Sequence, residues 1–230
     1  MVLSAHQPNY LPWPGFFQKM ARCDVFVLLD AVQYARRSYT ARCLVKGADG
    51  KKHWLTVPVF KTGRYHQTVA EVEIDNQDPW QNTHRRTLES VYAKAPYFRE
   101  HQWLLDLAYG KPWNSLCELN TALITALAER LDIKPRIVRL SELSVEGHST
   151  ELLVGICRKL GADTYRSGPS GKKYLDEEKF QMAGIKCDIF RYWPEPYPQL
   201  WGDFVPGLSL VDLLFNCGPE VARREIRKDS

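Results

Sequence analysis

Val25-Phe26-Val27-Leu28-Leu29 is an unbroken apolar run, as expected of a parallel strand covered on both faces. A parallel strand needs a crossover, and the preceding residues supply one. Met1 to Ala5 reads as a first short apolar strand and Phe16 to Arg22 carries helical spacing. Together they give a strand–loop–helix–strand unit, hence a β-α-β crossover in a parallel sheet. Asp30 falls just beyond the second strand, at a carboxyl end, where open α/β sheets place ligands.

The loop between the first strand and the helix reads His6-Gln7-Pro8-Asn9-Tyr10-Leu11-Pro12-Trp13-Pro14-Gly15-Phe16. Its prolines fix φ and remove amide donors, so it is neither helix nor central strand. It displays an imidazole, two carboxamides, a phenol and an indole together. A stiff polar connection of this kind suits a site, while a turn whose aromatics plug the core is the plain alternative.

Past Asp30 the pattern becomes β-rich. Tyr39 to Lys46 and His53 to Val59 flank Gly47-Ala48-Asp49-Gly50, a hairpin turn, and Val69 to Ile74 reads as a further strand. A helical block follows from about Pro79 to Leu131, with Asp78-Pro79 as N-cap and N1, and Asn114 and Ser115 as later caps. Alternation then resumes. Strands are expected at Arg136 to Leu140, Thr164 to Ser167 and Cys187 to Tyr192. Helices are expected from a Ser149 cap to Leu160, from an Asp176 cap to Met182, and from Leu208 to Cys217. Gly161, Gly184 and Gly218 end them. The expected fold class is α/β: a Rossmann-like three-layer core with a mostly parallel sheet, forming one domain over 1–230. A β hairpin and helical lobe are inserted at about 36–131.

With 230 residues, 44% of them hydrophobic, the chain has ample material for such a core. A net charge of +4 suits an anionic small molecule, and no basic tract or RNA-binding motif argues for nucleic acid. No apolar run approaches the roughly 20 residues needed to span a bilayer, and no signal-peptide pattern opens the chain. Six scattered cysteines without a C-x-x-C pair read as reduced thiols, which points to the cytoplasm. The histidines are unclustered, so no metal site is expected, and the question of a cofactor is left open.

A second stretch with chemical potential is Arg166-Ser167-Gly168-Pro169-Ser170-Gly171-Lys172-Lys173-Tyr174-Leu175-Asp176, between a short strand and a helix. Glycines let backbone amides approach an anion, and lysines and serines add charge and donors. The Walker A spacing fails. A solvated loop is the competing reading, as it is for Arg36, Arg37 and Arg42. The rigid aromatic stretch Tyr192 to Gln199 could stack on a sugar ring or base, or seal a core edge.

HQPNYLPWPGFFQKMARCDVFVLLDAVQY, WLTVPV, KAPYF, YRSGPSGKKYLDEEKF and LSLVDLLFNCG together resemble the WbqC-like family over nearly the whole chain. Members are bacterial and commonly occur with genes for O-antigen or other surface-glycan synthesis. The resemblance implies a cytoplasmic step on an activated sugar or its amino-sugar precursor. It supports His6, Gln7, Pro8, Asn9, Tyr10, Pro12 and Trp13, then Asp30, Gln33, Ser167, Gly168, Gly171, Lys172, Tyr174, Leu175 and Asp176. Ala31, Ala41 and Glu195 depart from the family pattern, where Asp, Asn and His are common. A remoter likeness to nucleotidylyltransferase-like folds is architectural only, since their H-x-G-H signature is absent.

The expected function is therefore a transferase of surface-polysaccharide biosynthesis, acting by acyl or aminoacyl transfer on a nucleotide-linked amino sugar. His6 would be the general base, Asn9 with Gln7 would orient the donor carbonyl, and Asp30 would bind the acceptor. Tyr10, Trp13, Gln33, Arg42, Ser167, Gly168, Gly171, Lys172 and Tyr174 would contact the anionic nucleotide sugar. A non-enzymatic sugar-nucleotide binder and a nucleotidyl- or adenylyl-transfer enzyme are the alternatives. A homo-oligomer is left open.

Overall fold

The computed structural model describes residues 1–173 and 175–228, with the backbone alone at positions 170 and 172. The apolar run forms β2 (Val25–Leu28), paired in parallel with β1 (Val2–His6) in the register Leu3 to Val25 through His6 to Leu28. Between them lie the opening loop and α1 (Pro14–Met20), which has Pro14 at its first position. Both faces of the pair are covered. Leu3, Ala5, Val25 and Val27 pack on one side, and Phe26 and Leu28 join Phe16, Phe17 and Met20 on the other. That explains the absence of polar alternation, and each fully buried Phe here contributes about 1.5–3 kcal/mol.

The segment between β2 and β5, called the lobe below, begins with the antiparallel hairpin β3 (Arg42–Lys46) and β4 (Lys52–Thr56) around the expected turn. Its helices are α2 (Trp80–Tyr92), α3 (Gln102–Tyr109) and α4 (Leu116–Arg130). The strand expected over Val69 to Ile74 is instead a 3-10 turn at Val69–Glu71 with isolated bridges from Glu73 and Ile74. The Glu71 carboxylate accepts from the Thr68 amide (2.7 Å), while the amides of Val69 and Ala70 donate to the carbonyls of Val32 and Asp30, so no continuous ladder forms. Asp78 does not cap α2: Pro79 occupies the N-cap position, with no side-chain bond. Ser115 caps α4 as expected.

The core resumes with β5 (Arg136–Arg139), α5 (Ser149–Leu160), β6 (Thr164–Ser167), α6 (Glu177–Met182) and β7 (Lys186–Ile189). Gly161 ends α5 at φ 74°, and Asp176 caps α6 through the amides of Glu178 and Lys179. Ser149 is not the cap of α5 but its first residue, following His148. The last helix, α7 (Leu210–Arg227), does not stop at Gly218; it breaks there (φ 79°, ψ 174°) and continues after Pro219.

The five-stranded sheet has the order β5-β2-β1-β6-β7, every pair parallel. α1 packs against α7 on one face, and α5 and α6 cover the other. The architecture is α/β, with helices on both faces of a parallel sheet and a small hairpin sheet beside it.

Candidate functional site

β1 lies where the strand order reverses, with β2 and β5 to one side and β6 and β7 to the other. Its ladder with β6 pairs Val2, Leu3 and Ser4 with Thr164, Tyr165 and Arg166, and stops there. Beyond that point the two strands part. Open α/β sheets bind ligands in the crevice at such a switch point, outside the carboxyl ends of the strands. A cavity of about 520 Å³ occupies this crevice. β1 supplies Ala5 and His6 with the following Gln7, and β6 supplies Tyr165 and Ser167 with Gly168. Trp13, Phe16 and Lys19 come from α1 and its lead-in; Ser149, Leu152 and Leu153 come from the start of α5; Phe190 and Tyr192 follow β7.

His6 is half-buried, its ring edge-on to Phe16 (5.1 Å between centroids) and Trp13 (5.7 Å). Its Nδ1 lies 3.0 Å from the carbonyl oxygen of Gln7. A carbonyl only accepts, so Nδ1 carries the proton and Nε2 the lone pair. Burial, assisted by the positive charge of Lys19, lowers the imidazole pKa to about 3. His6 is thus a neutral imidazole at physiological pH, and a far weaker base than a general base poised near neutrality. Gln7 is held by Thr40, whose Oγ1 donates to its Oε1 (3.1 Å).

The middle of the opening loop faces elsewhere. Asn9 is buried and is not among the lining residues. Tyr10 is in the core, its hydroxyl 2.6 Å from that of Tyr109 and 3.0 Å from Nδ1 of His84. Asn120 of α4 donates to the carbonyls of Pro8 and Thr40, and Ser209 donates to that of Leu11, which sits at φ 40°. The loop is therefore pinned by the lobe and by α7, with its two ends left facing the crevice.

Asp30 is also buried away from the cavity. Its two oxygens accept from the amide (2.9 Å) and hydroxyl (2.7 Å) of Ser141, anchoring the segment after β5. Gln33 is exposed, its Nε2 donating to the Tyr65 carbonyl, and Arg42 stacks 3.9 Å over Trp54. Neither lines the cavity. In the glycine-rich loop, Ser167 and Gly168 reach it. Gly171 folds back against Ser167, where a Cβ would lie 2.0 Å from Oγ. The amide of Gly171 is already spent on the Gly168 carbonyl. The side chain of Lys172 and all of Tyr174 lie outside the described residues.

The residue that sequence reasoning missed is Lys19, only 4% exposed. Its Nζ donates to the Ala5 carbonyl (2.9 Å) and sits 5.7 Å above the Phe26 ring. Burial lowers its pKa to about 8. The available signal was spacing: Lys19 follows Phe16 by three positions and so shares its inward face. Tyr165, Leu152 and Phe190 complete the apolar walls and carried no signal beyond core periodicity. Among the described residues, no three of His, Cys, Asp and Glu gather as metal ligands, and no helix is long and apolar enough to cross a membrane.

The WbqC-like protein family pattern matches residues 7–224. The chain belongs to the WbqC-like family. It is 38% identical over 216 residues to an uncharacterized protein of Mycobacterium tuberculosis, Rv1507c, covering 93% of each. No solved structure matches it. The three positions at which this WbqC-like chain departs from the expected pattern do not line the cavity. Ala31 is exposed beyond β2, Ala41 is packed in the lobe core, and Glu195 pairs with Lys228.

Proposed function

We propose that this WbqC-like protein is a transferase of bacterial surface-polysaccharide biosynthesis, moving an acyl or aminoacyl group onto a nucleotide-linked amino sugar. The observation that carries the reading is the crevice between β1 and β6, which brings His6 and Gln7 beside Ser167 and Gly168 around one cavity. In the transfer step, the acceptor nitrogen forms the new C–N bond and the donor's leaving group departs with its electron pair. The amine proton leaves with the departing group, while Nε2 of His6, the lone-pair nitrogen left by the bond to Gln7, accepts a hydrogen bond from the acceptor nitrogen and orients it. Apolar and aromatic walls exclude water, which protects the acyl donor from hydrolysis.

Asn9 and Asp30 have no part in this step, because both are buried outside the cavity. The low basicity of His6 favours a second reading, a sugar-nucleotide binder without turnover. Incubating the protein with nucleotide-linked amino sugars and activated acyl and aminoacyl donors, followed by mass spectrometry, separates the two. The transferase reading expects an acylated sugar nucleotide. Saturable binding without product from any donor would leave the binding module.

A further inference from the structure

Among the described residues lining the cavity, Lys19 alone carries a charged side chain, and no carboxylate lies within ion-pair distance of it. An ammonium taken out of water costs several kcal/mol unless it is paired. Among the described residues, one carbonyl and a distant aromatic face are all that offset it. A methionine of similar length would pack against Phe26 without that cost.

The location has a cause in the strand parting. The His6 carbonyl turns toward β2 and accepts from the Leu29 amide (2.9 Å), so the Ala5 carbonyl faces the parted side. The ladder with β6 has ended, and the ammonium of Lys19 takes the place of a strand donor. This fixes Nζ in the crevice with donor capacity left over. The start of α5, a twelve-residue helix, opens on the same cavity through Ser149, and its N-terminus adds a field that favours an anion.

We propose that Lys19 is the receptor for a single carboxylate on the ligand of this cavity. The inference rests on the cavity being the substrate site and concerns the acyl group to be transferred: one with an apolar or aromatic body ending in one negative group. The diphosphate of a nucleotide-linked sugar would lie outside this pocket, since one described ammonium among apolar walls cannot balance several charges.

Ligand-observed NMR titration with benzoate, benzamide and phenyl phosphate tests this on the intact protein. Near pH 7 benzoate should bind about 10- to 100-fold tighter than benzamide, the span of a charge-assisted hydrogen bond. The preference should fade toward about pH 9.5 as Lys19 discharges. The titratable groups facing it, His6 and Cys23, have pKa values of about 3 and about 12 and keep their charge states over that range. Lys19→Met should abolish the preference; the pH dependence of the unaltered protein decides the matter if that variant does not fold. Equal affinities for benzoate and benzamide, or a preference surviving in Lys19→Met, would overturn the carboxylate receptor and leave the cavity as a site. Tighter binding of phenyl phosphate would overturn the single charge. Binding of none of the three would remove the cavity reading and this inference with it.

Discussion

Asp30 and Ser141 are joined by two hydrogen bonds, from the Ser141 amide and hydroxyl to the two carboxylate oxygens of Asp30. The carboxylate at the end of β2 thus holds the chain leaving β5, its neighbour in the sheet. A residue type and position that suggest acceptor binding are used for architecture.

The first prediction follows from that pairing. Asp30→Asn and Ser141→Ala should each destabilise the fold by about 1–3 kcal/mol, the cost of breaking a buried charge-assisted bond. Ligand binding at the crevice should stay within a few-fold of the parent in both. Chemical denaturation and benzoate titration read the two effects separately. A large binding loss in Asp30→Asn that Ser141→Ala does not share would return Asp30 to the site.

A second prediction concerns the junction between lobe and last helix. Asp212 of α7 accepts from the hydroxyls of Tyr92 (2.7 Å) and Tyr197 (2.9 Å). Burial raises its pKa, while both tyrosines oppose the rise. Tyr92→Phe should cost about 1–3 kcal/mol and Tyr197→Phe less, because Tyr92 is wholly buried and Tyr197 is not. The double variant should depart from additivity, since both bonds end on one carboxylate. Urea melts of the four-member cycle give the coupling directly.

A third prediction concerns the glycine-rich loop. At Gly171 a Cβ would lie 2.0 Å from Ser167 Oγ and 2.8 Å from a methyl of Leu175. Gly171→Ala should therefore displace Ser167 from the cavity rim and cost about 1–3 kcal/mol in overpacking. Ser167→Gly in the same chain should recover part of the loss. If Gly171→Ala melts with the parent, the close approach is not a constraint.

Much of this was legible in the residues, for physical reasons. The run Val25 to Leu28 announces a strand buried on two faces because its neighbours on both sides are apolar. Gly161 and Asp176 announce helix ends because their backbone and side chains do little else well. The candidate site was legible at the ends of the opening loop, His6, Gln7 and Trp13, and at Ser167 and Gly168, all placed by strand ends. It was illegible at Asn9, Tyr10 and Asp30. Whether such a group faces a crevice or a partner depends on residues 74 to 112 positions away, Asn120, His84 and Ser141 among them. Lys19 escaped notice because a lysine on a short helix normally reaches solvent.

The last prediction uses two imidazoles, the half-buried His6 and the buried His84. Burial lowers the pKa of His6 from 6.5 to about 3 and that of His84 to about 4. The unfolded chain protonates both near 6.5, so between there and the folded values it binds more protons than the native protein. Stability then rises with pH across that window, so acidification below about pH 6.5 should lower it. Each histidine contributes a slope of about 1.4 kcal/mol per pH unit where its two states differ fully. Above pH 6.5 neither contributes, because both states are neutral. Denaturation measured at pH 7.5, 6 and 5 should show a flat limb followed by a decline. In His84→Gln the slope below pH 6 should shrink by about one histidine's share. A benzoate-filled cavity should raise the folded His6 value by neutralising Lys19, which NMR titration of the His6 ring would detect as an upward-shifted midpoint. An imidazole that titrates near 6.5 in the empty protein would contradict its burial and restore it as an ordinary base.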